Sequence, residues 1–331
     1  MRVLITGATG FVGSHLVEAL APEDDTGEMA KATLRVLLRA TSDPRYLQGL
    51  DVERATGHLG DIRSLQKAVS QVDVVLHLAA LTRARNEGEF LEVNGRGTRL
   101  LVEAASRSGV KRFVYVSSLA AAGPAHGGRP VEPEDPPHPL TAYGRSKLAG
   151  EKVCKEFADD LEVLILRPPA VYGPRDRDLL TFFQLANWGL LPVPTGPVRP
   201  LQLIHVCDLV RASIAATQSE NARGVYHVAE PNAYPWAEVL GLIARGVGKK
   251  GRAFPVPQTL LRMAGEVNGT LGRVLRRPQI FDGDKVRELL APGWLCETES
   301  AQRDLGFTAS TPLEKGLAET ASWYRERGWL K

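Results

Sequence analysis

Residues 2–13 read RVLITGATGFVG. An apolar run, RVLIT (2–6), breaks at a glycine, and helical periodicity begins within the next few residues. That order predicts a buried strand, a tight turn and a helix, the opening of a βαβ unit. Gly7, Gly10 and Gly13 suit the turn for three reasons: the backbone can reverse, it can approach a pyrophosphate closely, and the helix can pack closely on the strand. The helix start adds free N–H groups and the positive end of its dipole. In this context the glycine triplet predicts a dinucleotide-binding loop, with Thr9, Phe11 and Val12 forming the rest of the cradle.

Working outward, LRVLLR (34–39), VDVVLHLA (72–79), RFVYVSS (112–118) and LEVLILR (161–167) repeat the pattern of a buried strand followed by a helix. The predicted fold is therefore α/β, a Rossmann-type doubly wound parallel sheet with a smaller C-terminal α+β substrate domain. The boundary is placed at 1–170 for the dinucleotide-binding domain and 171–331 for the mainly substrate-binding part. Past that point PPAVYGP, LLPVPTGPVRP and FPVPQ concentrate prolines between shorter helices. QLIHV and GVYHVAE, within about 201–230, are read as strands returning to the main sheet. The polar stretch APEDDTGEMAKAT (21–33) is expected to be a solvated insertion.

In 331 residues, 41 Lys and Arg stand against 38 Asp and Glu, which leaves +3 without a cluster, so nucleic acid is excluded as a partner. Cys154, Cys207 and Cys296 are far apart and form no CxxC pair, which argues against a disulfide framework and a zinc site. With no signal-peptide pattern and no apolar run of membrane-spanning length, the expected location is cytoplasmic.

Strand 2 ends at Arg39, where an NAD enzyme of this kind places an acid against the ribose 2′-hydroxyl. A guanidinium suits a 2′-phosphate, so NADP(H) is favoured and NAD(H) is the alternative. Tyr143 and Lys147, in LTAYGRSKLAGEKV (140–153), lie one helical turn apart on one face. A free phenol has a pKa near ~10, too high for proton abstraction near neutrality, and a neighbouring ammonium lowers it. Alone, this spacing is common on helices and would denote a surface pair.

GATGFVG, VLHLAA, VNGRGT, YVSS, YGRSK, RPPAVYGP and IHVCDL stand in order over residues 7–209. Together they resemble the extended short-chain dehydrogenase/reductase family, also called the NAD-dependent epimerase/dehydratase family. The resemblance implies an enzyme with a Ser118, Tyr143 and Lys147 catalytic group and a nicotinamide cofactor. Tyr143 becomes the general acid or base, Lys147 also meets the nicotinamide ribose, and Ser118, chosen over Ser117, holds the reacting oxygen. Asn94 and Thr98 hold a helix against the cofactor; Leu78, Ala79 and Ala80 line it, and Pro168, Ala170 and Val171 pass near the nicotinamide. The adenine contact falls on His58, with Leu59 beside it, or, three residues on, on Asp61.

Two departures narrow the chemistry. The family's 4,6-dehydratases carry an Asp-Glu pair after the catalytic serine or threonine, where this chain has Leu119, Ala120 and Ala121. Sugar-nucleotide epimerases often carry an arginine four residues before the histidine of IHVCDL, where this chain has Leu201, with Arg199 nearby. SSLAAAGP and the C-terminal GWLCETESAQRDLGF resemble instead the branch of 3β-hydroxysteroid dehydrogenases and dihydroflavonol-reductase-like enzymes. The expected activity is thus secondary alcohol–ketone interconversion on a fairly apolar small molecule. A sugar-nucleotide epimerase is the alternative, and a non-catalytic dinucleotide-binding protein comes third.

Helices around 90–108 and 143–158 resemble the pair through which the family dimerises, so a homodimer is expected. In 257–277, Leu260, Met263, Ala264, Val267, Leu271 and Val274 form a helical stripe, expected to pack into the core; a substrate lid or a membrane-surface helix is the alternative. His77, His205 and His227 lack metal-ligand spacing and are read as hydrogen-bonded structural residues. Cys207 beside His205 lacks a third orienting group, so it is not taken for a nucleophile.

Overall fold

The computed structural model describes residues 1–21, 32–220, 222–275 and 281–330. Most of the expected insertion, 22–31, lies outside them. Seven parallel strands form the central sheet: β1 (Arg2–Thr6), β2 (Thr33–Leu38), β3 (Glu53–Thr56), β4 (Val74–His77), β5 (Arg112–Val116), β6 (Glu162–Arg167) and, far along the chain, β11 (Gly224–His227). Their spatial order is β11-β6-β5-β4-β1-β2-β3. It is a doubly wound Rossmann-type sheet, with the strand order reversing at β1.

Helices cover both faces, so the central strands are apolar on both sides. Val3 and Ile5 of β1 point toward Leu16 and Val17 of the helix Phe11–Leu20 and toward Leu209 and Ala212 of the helix Val206–Gln218. Leu4, between them, points the other way, toward the layer of Leu65, Leu101 and Val153. Successive side chains on a strand alternate in direction, so one sheet feeds two cores.

The strand β3 was not foreseen. Its sequence, ERAT, has no apolar run, and it forms because it lies at the sheet edge, where one face can stay wet. Pairing with β2 supplies its ladder, and Arg35 Nε donates to Glu53 Oε2 at 2.9 Å across the two strands.

Three two-stranded sheets build the remainder: β7 (Ala170–Tyr172) with β10 (Leu203–His205), β8 (Leu190–Pro194) with β13 (Arg252–Val256), and β9 (Pro200–Leu201) with β12 (Tyr234–Pro235). GVYHVAE does return to the main sheet, as β11 beside β6. QLIHV does not, contrary to expectation: its strand β10 pairs with β7 instead. Pro168 and Pro169 interrupt the ladder after β6, and β11 already occupies the edge beside it. A third core, including Tyr172, Phe183, Ile243, Leu317 and Tyr324, fills the space beyond.

The stripe in 257–277 is also corrected. A helix forms over Gln258–Val274, but Leu260, Met263, Ala264, Val267 and Leu271 are exposed. The side chain of Val274 lies outside the described residues. No described helix is long and apolar enough to cross a membrane.

Candidate active site

Gly7 adopts φ +76°, and a Cβ there would stand 2.7 Å from the backbone nitrogen of Ala79. A Cβ on Gly13 would come within 2.1 Å of the Gly7 carbonyl oxygen. Both positions exclude a side chain, so backbone alone lines the turn between β1 and its helix. Gly10 caps that helix without a side-chain hydrogen bond, and no acidic residue stands in the first turn. Thr9, Phe11 and Val12 are partly exposed around this cradle. An anionic pyrophosphate fits such a cradle, which offers N–H donors and a positive helix end.

Beneath the loop, His77 ties the strand ends together. Its Nδ1 lies 2.7 Å from Thr6 Oγ1 and its Nε2 lies 3.0 Å from Thr98 Oγ1. Burial lowers its pKa to about 3, so the imidazole stays neutral. Ala79 N–H donates to Thr6 Oγ1, which holds Leu78, Ala79 and Ala80 along the opening, all partly exposed. Asn94 sits in a π-helical turn; its Oδ1 accepts from Leu81 N at 2.8 Å and its Nδ2 donates to Leu81 O and to Ser146 Oγ. Asn94 thereby joins this loop to the helix carrying Tyr143.

That helix, Ala142–Lys155, starts at Thr141, whose hydroxyl accepts from Gly144 N at 3.1 Å. A Cβ on Gly144 would lie 2.3 Å from Ala120 O, so this glycine lets the helix pack onto the short helix Leu119–Ala122. Ser118 caps that short helix, its Oγ accepting from Ala120 N. Ser118 and Tyr143 are thus brought to one place from strand end and helix start. Burial raises the Tyr143 phenol above its ordinary value, with the Ser118 hydroxyl acting against that shift. The ring lies edge-on to Phe90, with centroids 6.0 Å apart.

Lys147 is almost wholly buried. Its Nζ donates to Val116 O at 2.7 Å and sits 4.2 Å from the centre of the Tyr115 ring. Burial lowers its pKa to about 7, against the opposing pull of Glu151 and Cys154. Ser117 is committed elsewhere: its Oγ donates to Glu151 Oε1 at 2.5 Å, and Glu151 forms a buried pair with Arg167 at 2.7 Å. This leaves Ser118 as the serine beside Tyr143.

Toward the adenine end, Arg39 is exposed just past β2, and no described residue pairs with its guanidinium. His58 is exposed just past β3, and its Nδ1 accepts from Gly60 N. Leu59 is buried, whereas Asp61 caps the helix Ile62–Val69 by accepting from Arg63 N. Pro168 is buried and its carbonyl accepts from Leu119 N; Ala170 and Val171 follow in β7 with Ala170 exposed.

Some neighbours of Tyr143 escaped sequence reading. Asp284 Oδ2 accepts from Ala142 N at 2.9 Å, and Glu288 Oε1 accepts from Thr141 Oγ1 at 3.3 Å. Both belong to the helix Gly283–Leu289, so a C-terminal element caps the Tyr143 helix. Burial raises Asp176 to about 7, and it holds the turn 176–179 by accepting from Asp178 N and Leu179 N. The FDGDK segment signals a helix start. Its meeting with Thr141 spans more than a hundred residues of chain and has no local signal.

Leu119, Ala120 and Ala121 form the short helix after Ser118, so no carboxylate stands where an elimination would need one. Arg199 donates to the carbonyls of Leu290, Thr195 and Pro197. His205 Nδ1 accepts from Cys207 N as a helix cap. His227 departs from expectation: it is buried, but neither ring nitrogen finds a partner among the described residues. No metal-ligating cluster occurs among the described residues.

Residues 3–229 match the family model described as NAD dependent epimerase/dehydratase family. The ceramide reductase of Caulobacter vibrioides is 35% identical, over 99% of this chain and 96% of that protein. Sterol demethylase protein B of Methylococcus capsulatus is 30% identical over the whole of both chains. The solved structure of MoeE5 in complex with UDP-glucose and NAD superposes with a TM-score of 0.76 at 27% identity, covering 99% of each chain.

Proposed function

The chain belongs to the NAD dependent epimerase/dehydratase family, and from that premise we propose that it is an NADP(H)-preferring oxidoreductase of apolar secondary alcohols and ketones. The observation that carries this reading is the meeting of Ser118 and Tyr143 at the C-terminal ends of the strands, with Leu119, Ala120 and Ala121 rather than carboxylates following Ser118. Such a site can hold one oxygen and move one proton. It lacks the extra acid and base of a dehydratase.

The cofactor supplies hydride exchange at the carbinol carbon. Ser118 Oγ donates to the substrate oxygen, and Tyr143 gives its proton to that oxygen in reduction or takes it in oxidation. Lys147 has three N–H donors, of which Val116 O uses one. We assign the other two to the nicotinamide ribose and to the phenol, where an ammonium would stabilise developing phenolate charge. We assign 1–170 with β11 mainly to cofactor binding and most of 171–331 to the substrate.

The tie of Arg199 to three carbonyls argues against its use on a sugar-nucleotide pyrophosphate. The likeness to a ceramide reductase along nearly the full length of both chains supports a substrate with long apolar chains. A nicotinamide-absorbance assay over long-chain ketones, hydroxysteroids and UDP-sugars tests the reading. Net cofactor turnover with an apolar ketone is expected; interconversion of UDP-sugars without absorbance change would replace this reading with an epimerase.

A further inference from the structure

Eleven large apolar side chains are exposed among the described residues, and nine of them lie between 188 and 275: Trp188, Leu190, Val198, Phe254, Leu260, Met263, Val267, Leu271 and Leu275. All but Val198 lie on, or within two residues of, one continuous piece of structure, the β8–β13 ribbon and the helix Gln258–Val274 into which β13 leads. At about 100° per residue, positions 260, 263, 264, 267 and 271 fall within an arc of roughly 100°. The helix packs through the opposite face. A Cβ on Gly265 would stand 2.7 Å from Val286 Cγ2 and 3.0 Å from Asp282 O. It therefore presses its smallest residues inward and its largest outward, the reverse of a core helix.

Charge identifies what covers this face. Lys249, Lys250 and Arg252 stand at the start of β13, where Arg252 is paired with Leu190 next to Trp188; all three are exposed, and none forms an ion pair with a described residue. Glu266 is the one exposed acid on the described part of the helix. A second copy docking by a two-fold axis would set these cations against one another. An anionic lipid surface meets both the apolar stripe and the cations, and Trp188, 73% exposed, is the residue type that settles at such an interface.

We propose that the helix Gln258–Val274 and the β8–β13 ribbon dock this protein peripherally on an anionic lipid bilayer. The docked helix rests on Asp282 and Val286, next to Asp284 and Glu288, which cap the Tyr143 helix at Thr141 and Ala142, so one intervening helix links the docking helix to that of Tyr143. The docking is independent of which substrate is turned over.

The test is flotation of the full chain with vesicles of phosphatidylcholine alone or mixed with phosphatidylglycerol. Binding to the mixed vesicles is expected, weakening by about fivefold for each of Lys250→Gln and Arg252→Gln and by about tenfold or more for Met263→Glu combined with Val267→Glu. Nicotinamide-cofactor affinity and thermal midpoint should not change in these variants, which separates lost docking from lost folding and from failure of the catalytic reading. No flotation of the wild type with either vesicle overturns the proposal. So does a dimer that Met263→Glu with Val267→Glu turns into a monomer, which would make the face a self-interface, and so does variant binding equal to wild type.

Discussion

Lys147 carries an ammonium into a site that is 2% exposed, and burial lowers its pKa to about 7. The sign of the linkage follows. Below about pH 7 both folded and unfolded chains hold the proton, and the full cost of burying the charge is present. Between there and the unfolded value near ~10.4 the unfolded chain holds a proton that the folded chain has released, so stability rises with pH. Wild type should gain about 2 to 3 kcal/mol over Lys147→Met between pH 6 and pH 9. Denaturant melts at both pH values check this, and a difference that does not change with pH would contradict the burial cost. Tyr143→Phe keeps the ring against Phe90 and removes the proton. Turnover should fall by about a hundred- to ten-thousandfold while cofactor affinity stays within a factor of about two; a near-normal rate would remove the phenol from the reaction. At this scale the sequence was readable where spacing is local, as in Tyr143 and Lys147. In the sequence, Ser118 is favoured over Ser117 by resemblance alone; that Ser117 is held by Glu151, itself paired with Arg167, depends on two other elements and has no local signal.

The helix Ala142–Lys155 has its position set by what its glycines admit. A methyl on Gly144 would lie 2.3 Å from the Ala120 carbonyl, and that backbone belongs to the helix capped by Ser118. Gly144→Ala should therefore cost about 1 to 3 kcal/mol of stability and lower kcat, because the displaced Tyr143 no longer meets Ser118. Urea unfolding together with steady-state rates would show it, and an unchanged kcat would mean that the two helices can part without harm. The same scale shows which elements a sequence reveals. Strands buried on both faces, such as VVLH and RFVYV, announce themselves as apolar runs because helices cover both sides. The edge strand ERAT carries no such signal, since its formation depends on β2 offering a ladder. The stripe of 260–271 was legible as a helix, but its outward direction was not. Periodicity gives a face, and only the glycine contacts with 282–286 show which face is inside.

At the scale of the molecule, the proposed cofactor site draws on distant pieces: Gly7 after β1, Ala79 after β4, Arg39 after β2 and the Tyr143 helix beyond β5. The unfolded chain cannot hold a dinucleotide in this way, so binding must stabilise the fold by mass action. Ligand at a hundred times its Kd adds about 2.7 kcal/mol. For a chain of this length, with an unfolding entropy of roughly 2.1 cal/mol/K per residue, that corresponds to a rise in Tm of about 4 °C. In the proposed reading, Arg39 sets which dinucleotide achieves it. Its guanidinium is exposed at the end of β2 without a described partner, and a 2′-phosphate is a doubly hydrogen-bonding anion of matching geometry. NADP⁺ should therefore raise Tm by about 4 °C at concentrations where NAD⁺ raises it by less than about 1 °C. Arg39→Asp should invert the order, because a carboxylate repels the phosphate and accepts from the ribose hydroxyls. Equal shifts from the two cofactors in the wild type would show that Arg39 is only a solvated arginine at a strand end, and would return the preference to NAD(H).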